Sequence, residues 1–368
     1  MKISYQEEYE KYKKGFDKES WKLHEKNKAK LKSFARVKFA RQAVCTDADL
    51  EGGKVFVKDY RFLASSQIYS NVEATRNLRM INEFLISALC KQIGLESATY
   101  LAQIKSKNGP NYQKIQDVMK KVDMPNAIVS KNFLKEDEEL CEVISFGYAA
   151  KSGFSLKSFV EGLAEMKKNE PDLKINLDDL KTKLFKLIIL DLLTLQLDRH
   201  IGNIPTVLNK KENSLSFGKV FDNEYGFNVK ALRDYDLEKD VFGILNGGEK
   251  IDVEKVIKAF NKRIAKCGDY IWTVTPNCKT DYQSCMKEIA MQATLSAKAK
   301  RIVIDVVNNL NVEKAFDDME KLGVEVSQGY RNYVSQIVGY GKAQLVLQMS
   351  KHEQRKSQIA GKSHQIKE

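Results

Sequence analysis

The chain has 368 residues, 43% apolar and 30% charged, with a formal net charge of +12. That length and balance support a real core, a well-solvated surface and room for two lobes or domains. No run reaches the ~18 uninterrupted apolar residues of a membrane span, so no membrane-spanning helix is expected.

Residues 1–8 carry no apolar run of the secretory kind. A cytosolic location is expected, with export by a signal-free route as the alternative. Six cysteines (Cys45, Cys90, Cys141, Cys267, Cys278, Cys285) form no C-x-x-C pair, and there are only four histidines. No zinc site is expected, and the cysteines read as reduced and mostly buried. The positive charge suits nucleic acid, anionic lipid or an acidic protein. Without arginine–aromatic interleaving, however, a nucleic-acid platform is not indicated and the lysines read as a solvated surface.

In chain order, residues 1–32 place Tyr5, Tyr9, Tyr12, Phe16, Trp21 and Leu23 largely at three- and four-residue spacing among Lys and Glu. This predicts a helical extension of one or two amphipathic helices. Residues 33–39 alternate, 47–53 hold a turn signal ending in Gly52-Gly53, and 54–60 alternate again, which predicts a hairpin. The pleat puts Val55 and Val57 on one face, Phe56 and Lys58 on the other. Residues 71–94 predict a helix, with Leu78, Ile81, Phe84, Leu85, Ala88 and Leu89 at helical spacing and Gly94 as its end. Strands are expected over 99–104 and 127–134, with a surface insert over 105–125. From 147 onward helices are expected at 154–167, 178–197, 253–266, 282–310, 313–322 and 330–348. Residues 350–368 lack an apolar stripe and read as a disordered basic tail.

The stretch 184–227 organises the rest. An apolar helix, interrupted by Lys186, Asp191, Thr194 and Gln196, gives way to Asp198-Arg199-His200-Ile201-Gly202-Asn203. After a polar turn at 210–214 comes a strand-like run, 217–221, ending in Asp222. Helix, charged loop, hairpin and carboxylate are the parts of a phosphoryl-transfer site, which needs positioning and charge neutralisation more than covalent chemistry. Asp198 and Asn203 stand five residues apart, the offset of D-x-x-x-x-N in a kinase catalytic loop. Asp198 is the candidate to orient the attacking hydroxyl, and Asn203 and Asp222 are the candidates to hold magnesium. Arg199 fits packing of the loop better than contact with substrate. His200 has two readings, stabilising the transferred phosphoryl or bracing the loop.

Asp198-Arg199-His200-x-x-Asn203 followed by an Asp-ended strand resembles the HipA-like serine/threonine kinases, distant relatives of the phosphatidylinositol 3- and 4-kinases. Arg36-x-Lys38-Phe39, Phe56-Val57-Lys58 and the segment 126–134, similar to a V-S-x-N-F-L strand near the adenine hinge, carry the resemblance further. It covers roughly 33–227. It implies an α+β, two-lobed protein-kinase-like fold, with a β-rich N-lobe at 33–146 and a helical C-lobe at 147–349. ATP and Mg2+ would be the cofactors and a protein hydroxyl the acceptor, with an antitoxin-like or regulatory protein as a further partner of a toxin-like kinase. Lys58 is then the phosphate lysine, with Lys38 as its rival, and Glu83 is the helix glutamate that holds the lysine, favoured over Glu73. No glycine-rich loop precedes Lys58, so Ser33, Arg36 and Lys38 are the candidates to cradle the phosphates. Two other readings stand beside this one: a phosphatidylinositol kinase, and an inactive kinase-fold binding module, which Asp222-Asn223-Glu224 in place of D-F-G favours.

Overall fold

The computed structural model describes residues 43–49, 54–59, 72–103, 127–131, 133–135, 137–140, 155–197, 199, 203–228, 251–267 and 273–365. Strands β1 (Ala43–Asp49), β2 (Lys54–Asp59), β3 (Tyr100–Gln103) and β4 (Ala127–Lys131) form an antiparallel sheet in the order β1-β2-β4-β3. The predicted hairpin exists, but its first strand differs. Asp47, Ala48 and Asp49, expected in the turn, belong to β1, because an irregularity between Thr46 and Asp49 absorbs the extra residues and pairs Asp49 with Lys54. Only 50–53, ending in the two glycines, is left to join the strands. The expected partner strand at 33–39 lies outside the described residues, as does the insert at 105–125.

Helix α1 (Val72–Gln92) packs beside this sheet, with the Phe84 ring 5.4 Å from that of Tyr100. It stops as predicted at Gly94, whose φ of +69° is a conformation that a side chain would strain. A second sheet joins β5 (Glu138–Leu140), β6 (Lys174–Ile175), β7 (Thr206–Asn209) and β8 (Ser214–Phe217) in the order β5-β7-β8-β6. The hairpin before Asp222 is therefore β7–β8, and β8 starts three residues before the expected run at 217–221. Past β8, Val220 instead makes an isolated parallel bridge to Ser97. Ala98 N donates to Val220 O at 2.8 Å and Val220 N to Glu96 O at 2.8 Å, tying the exit of α1 to the approach of Asp222.

Helices α2 (Leu156–Asn169) and α3 (Leu177–Leu193) follow β5. α3 begins at Asn176, whose side chain accepts from Asp179 N, and Asp178 and Asp179 occupy its first turn, where the helix dipole favours acid. From Leu187 to Leu193 every α3 residue is buried, so this helix is core on all sides. Further along come α4 (Val253–Cys267), α5 (Tyr282–Leu295), α6 (Ala297–Asn309), α7 (Val312–Lys321) and α8 (Gln328–Gln365); α2, α5, α6 and α8 pack on α3, while α4 packs on α5 and α8, and α7 on α1 and α8. The single helix expected over 282–310 is two helices. Ser296 ends α5 and caps α6, its hydroxyl accepting from Ala299 N, so the chain turns where the sequence alone reads through. Residues 350–368, expected as a disordered tail, continue α8 to Gln365, since Lys, Glu, Gln, Arg and Ala are good helix formers without any buried stripe. Early in that extension Glu353 pairs with Lys300 of α6.

Of the cysteines whose side chains are described, Cys90 and Cys285 are buried and Cys278 half-buried, and all three are free thiols. Among the described residues no helix is long and apolar enough to cross a membrane.

Helix α5 offers a direct test of local folding energetics. Asp281 caps it, accepting from Ser284 N and Ser284 Oγ, each at 2.9 Å, and pairing with Lys279. Burial works to raise its carboxyl pKa, but these bonds outweigh it and hold the pKa below the ordinary value. Asp281→Ala is expected to lower stability by about 1 kcal/mol in urea denaturation at neutral pH. A carboxylate with a depressed folded pKa stabilises above its unfolded pKa of about 3.9 and loses that contribution as pH falls through the folded value. The gap between wild type and variant should therefore be constant at neutral pH and shrink in acid below about pH 4.

Candidate functional site

The site grows out of the end of α3. Thr194 N bonds Leu190 O at 2.9 Å, Leu195 N reaches Leu192 O at 3.4 Å, and Gln196 N closes onto Asp191 O at 2.8 Å. This is a Schellman turn, and its left-handed position is held by Leu195 at φ 49° instead of the usual glycine. The conformation costs about 1–2 kcal/mol, which burial of the Leu195 side chain offsets.

Asp191 is a carboxylate inside the apolar helix, 6% exposed, and Arg199 answers it at 1% exposure. Arg199 Nε donates to Asp191 Oδ2 and Nη2 to Oδ1, both at 3.0 Å, a bidentate fork. Burial pushes the Asp191 pKa above the ordinary carboxylate value, against the pull of the guanidinium. Burial likewise opposes the charge on Arg199, but Asp191 above all, with Asp222, favours it and leaves the Arg199 pKa raised. The neighbouring Cys90 thiol is pushed up to about 12, chiefly by burial, and stays neutral beside the pair.

The remaining donors of Arg199 gather the two ends of the loop. Nη1 reaches Phe221 O at 2.9 Å and Asn203 O at 3.5 Å, and Nη2 reaches Asn223 Oδ1 at 2.8 Å. Asp222 sits between two of these contacts at φ 58°, again left-handed for a residue with a Cβ. Gln196 Nε2 bonds its carbonyl at 3.1 Å. Glu83, fully buried on α1, accepts on Oε2 from Asn223 N at 2.8 Å and from the Tyr100 hydroxyl at 2.7 Å. Carboxylate oxygens of Glu83, Asp222 and Glu224 lie within 4.8 Å of one another. Of the three, Asp222 alone is partly exposed. Glu224 is ion-paired with Arg79, whose guanidinium also bonds the Tyr225 hydroxyl at 2.7 Å and lies 4.3 Å from its ring centroid.

Helices α1 and α8 hold the segment that follows. Asn82 Nδ2 donates to Glu224 O at 3.3 Å and to Gly226 O at 2.8 Å, and its Oδ1 accepts from the Tyr330 hydroxyl at 2.5 Å. Tyr333 reaches Phe227 O at 3.0 Å. Gly226 lies so close to α1 that a Cβ there would stand 2.3 Å from Ile86 Cδ1.

The sequence-derived candidates distribute as follows. Asp198, His200, Ser33, Arg36 and Lys38 lie outside the described residues. Lys58 is described by its backbone, opposite Ala43 in β1 and Ile128 in β4, two residues beyond the Phe56–Ser130 pair. Asn203 is buried and Asp222 half-buried, and Arg199 contacts both Asn203 and the residues flanking Asp222. Arg199 is a packing residue, as expected. The described hydrogen bonds of Glu83 go to Tyr100 and Asn223. Sequence reasoning missed Arg79, Tyr100, Asn223 and Glu224. It saw Asp191 and Gln196 only as interruptions, although an ionisable group in an apolar helix already demands a buried partner.

The described helices, sheets and site give the chain a kinase-like fold. It is similar to the crystal structure of a Helicobacter pylori proinflammatory kinase, CtkA, with a TM-score of 0.56 at 13% identity, covering 83% of this chain and 90% of that one. No family model and no curated protein matches the chain.

Two substitutions test this geometry. Arg199→Ala leaves Asp191 buried without its partner and should cost about 3–5 kcal/mol in urea denaturation, with Arg199→Lys recovering only a minor part because an ammonium cannot make the fork. Gly226→Ala should destabilise by about 1–3 kcal/mol through overpacking, and Ile86→Val, by removing Cδ1, should make the double variant more stable than additivity of the two single changes allows.

Proposed function

We propose that this chain is an ATP- and magnesium-dependent serine/threonine protein kinase of the HipA-like type, transferring the γ-phosphate of ATP to a protein hydroxyl. The observation that carries this reading is the reach of Arg199, the central residue of Asp198-Arg199-His200-x-x-Asn203. It bonds the carbonyls of Asn203 and Phe221 and the side chain of Asn223, so the loop and the segment of Asp222 hang from one side chain. The kinase-like fold supports the same reading.

In this reading Asp198 orients the acceptor hydroxyl and takes its proton as the oxygen attacks the γ-phosphorus and ADP leaves. His200 is assigned to the charge of the transferred phosphoryl. Lys58 grips the phosphates, with Lys38 as its rival, and Ser33 and Arg36 cradle them. Asn203 and Asp222 hold magnesium, which when bound neutralises phosphate charge. The donor set fits it, since hard oxygen ligands are what this ion takes, and Asp222 is the carboxylate of its cluster that solvent reaches. The register supports Lys58, because Phe56, Ser130 and Tyr100 form one cross-strand row and Lys58 stands two residues from it, on the sheet that carries Tyr100 to Glu83.

The test is transfer from γ-labelled ATP with magnesium, using the protein alone, with a mixed protein extract, and with phosphoinositide vesicles. Label is expected on protein, reduced by about two to four orders of magnitude in Asp198→Asn and Asp222→Asn. Label on lipid alone would move the assignment to a phosphoinositide kinase. No label anywhere, with no magnesium-dependent ATP binding, would leave a binding module.

A further inference from the structure

We propose that Glu83 sets the aim of the Asp222 carboxylate through the peptide that joins Asp222 to Asn223, and that Tyr100 is the positioning residue that holds Glu83 for this task. The inference rests on reading Asp222 as the magnesium ligand, and adds a role for Glu83 beside the pairing with a strand lysine.

A non-glycine residue at φ 58° keeps that conformation only where its surroundings over-determine it. At Asp222 both ends of the following peptide are held. Its carbonyl accepts from Gln196 Nε2 at 3.1 Å, and its N–H, that of Asn223, donates to Glu83 Oε2 at 2.8 Å. Arg199 fixes the carbonyl before it, Phe221 O, at 2.9 Å. Of these bonds the one to Glu83 joins the metal segment to α1, and its acceptor is a carboxylate, which strengthens it. Loss of it releases one end of the peptide that keeps Asp222 at φ 58°, and the placement of the Asp222 side chain depends on that conformation.

Glu83 is aimed in turn. The oxygen that receives Asn223 N also receives the Tyr100 hydroxyl at 2.7 Å, and the Tyr100 ring is packed on Phe84 one residue along α1. Tyr100 is also paired across the sheet with Ser130. The chain Tyr100, Glu83, Asn223 N therefore links sheet, helix and metal segment through two hydrogen bonds on one oxygen atom.

The experiment uses the full chain and four variants: Tyr100→Phe, Glu83→Gln, Glu83→Ala and Asp222→Asn. Amide hydrogen exchange at Asn223 is measured without nucleotide, and ATP binding is titrated with magnesium chloride by calorimetry. Tyr100→Phe should speed exchange at Asn223 about 5–10-fold and raise the half-saturating magnesium concentration by a similar factor, leaving ATP affinity at saturating magnesium unchanged. Glu83→Gln keeps an acceptor oxygen without its charge and should speed exchange less than Glu83→Ala does. Unchanged exchange and magnesium dependence in Tyr100→Phe, or equal exchange in the Gln and Ala variants, would overturn the proposal. If Asp222→Asn leaves the magnesium dependence untouched, the kinase reading falls and takes the metal half of this proposal with it; the exchange rates then still decide the link between Glu83 and Asn223.

Discussion

The buried pair of Arg199 and Asp191 is the constraint on which the rest of the site depends. A carboxylate in an all-apolar helix is tolerable only beside a cation that can saturate it, and a cation buried that deeply must place every one of its donors. Guanidinium has more donors than one carboxylate can accept, in a rigid plane. The surplus goes to Phe221 O, Asn203 O and Asn223 Oδ1, so satisfying one buried arginine brings together two stretches of chain that the β7–β8 hairpin separates. Desolvation thus does the organising. The chain cannot bury α3 without also assembling the loop.

Strain collects in the same place. Among the described residues four without a glycine's freedom have positive φ, and Leu195, Asp222 and Phe227 all belong to this stretch. Each is fixed by partners from elsewhere: Leu195 by the turn onto Asp191, Asp222 by Gln196 and Glu83, and Phe227 by its N–H on Thr194 O and its carbonyl on Tyr333. Left-handed residues that glycine would occupy more cheaply, held by bonds from several elements, mark a conformation kept for its geometry and not for its stability.

Much of this was legible in the sequence, for local reasons. Helical spacing over α1 and the glycine after it located that helix, and the motif singled out Asn203 and Asp222, whose neighbourhoods the Arg199 side chain joins, while Asp198 lies outside the described residues. Arg199 read as a packing residue because a charge at the mouth of an apolar helix has somewhere to go. What could not be read is non-local. Nothing near Arg79 announces Glu224, and nothing near Tyr100 announces Glu83, since those pairs form only once α1 lies against the sheet and the Asp222 segment. The misplaced boundaries have a different origin. Asp47-Ala48-Asp49 has turn composition but sits in a strand with an irregular register, and Ser296 reads as tolerable inside a helix while its hydroxyl caps a new one.

The two tyrosines at the start of α8 carry a consequence for how the protein is made. Tyr330 completes Asn82, and Tyr333 completes Phe227, so the segment after Asp222 receives its last hydrogen bonds from residues far downstream. A ribosome adding roughly 5–20 residues each second reaches them on the order of ten seconds after it has finished the loop. During that interval the nascent chain holds the residues of the site without the helix that seats them. Ordering of the site thus comes late in synthesis.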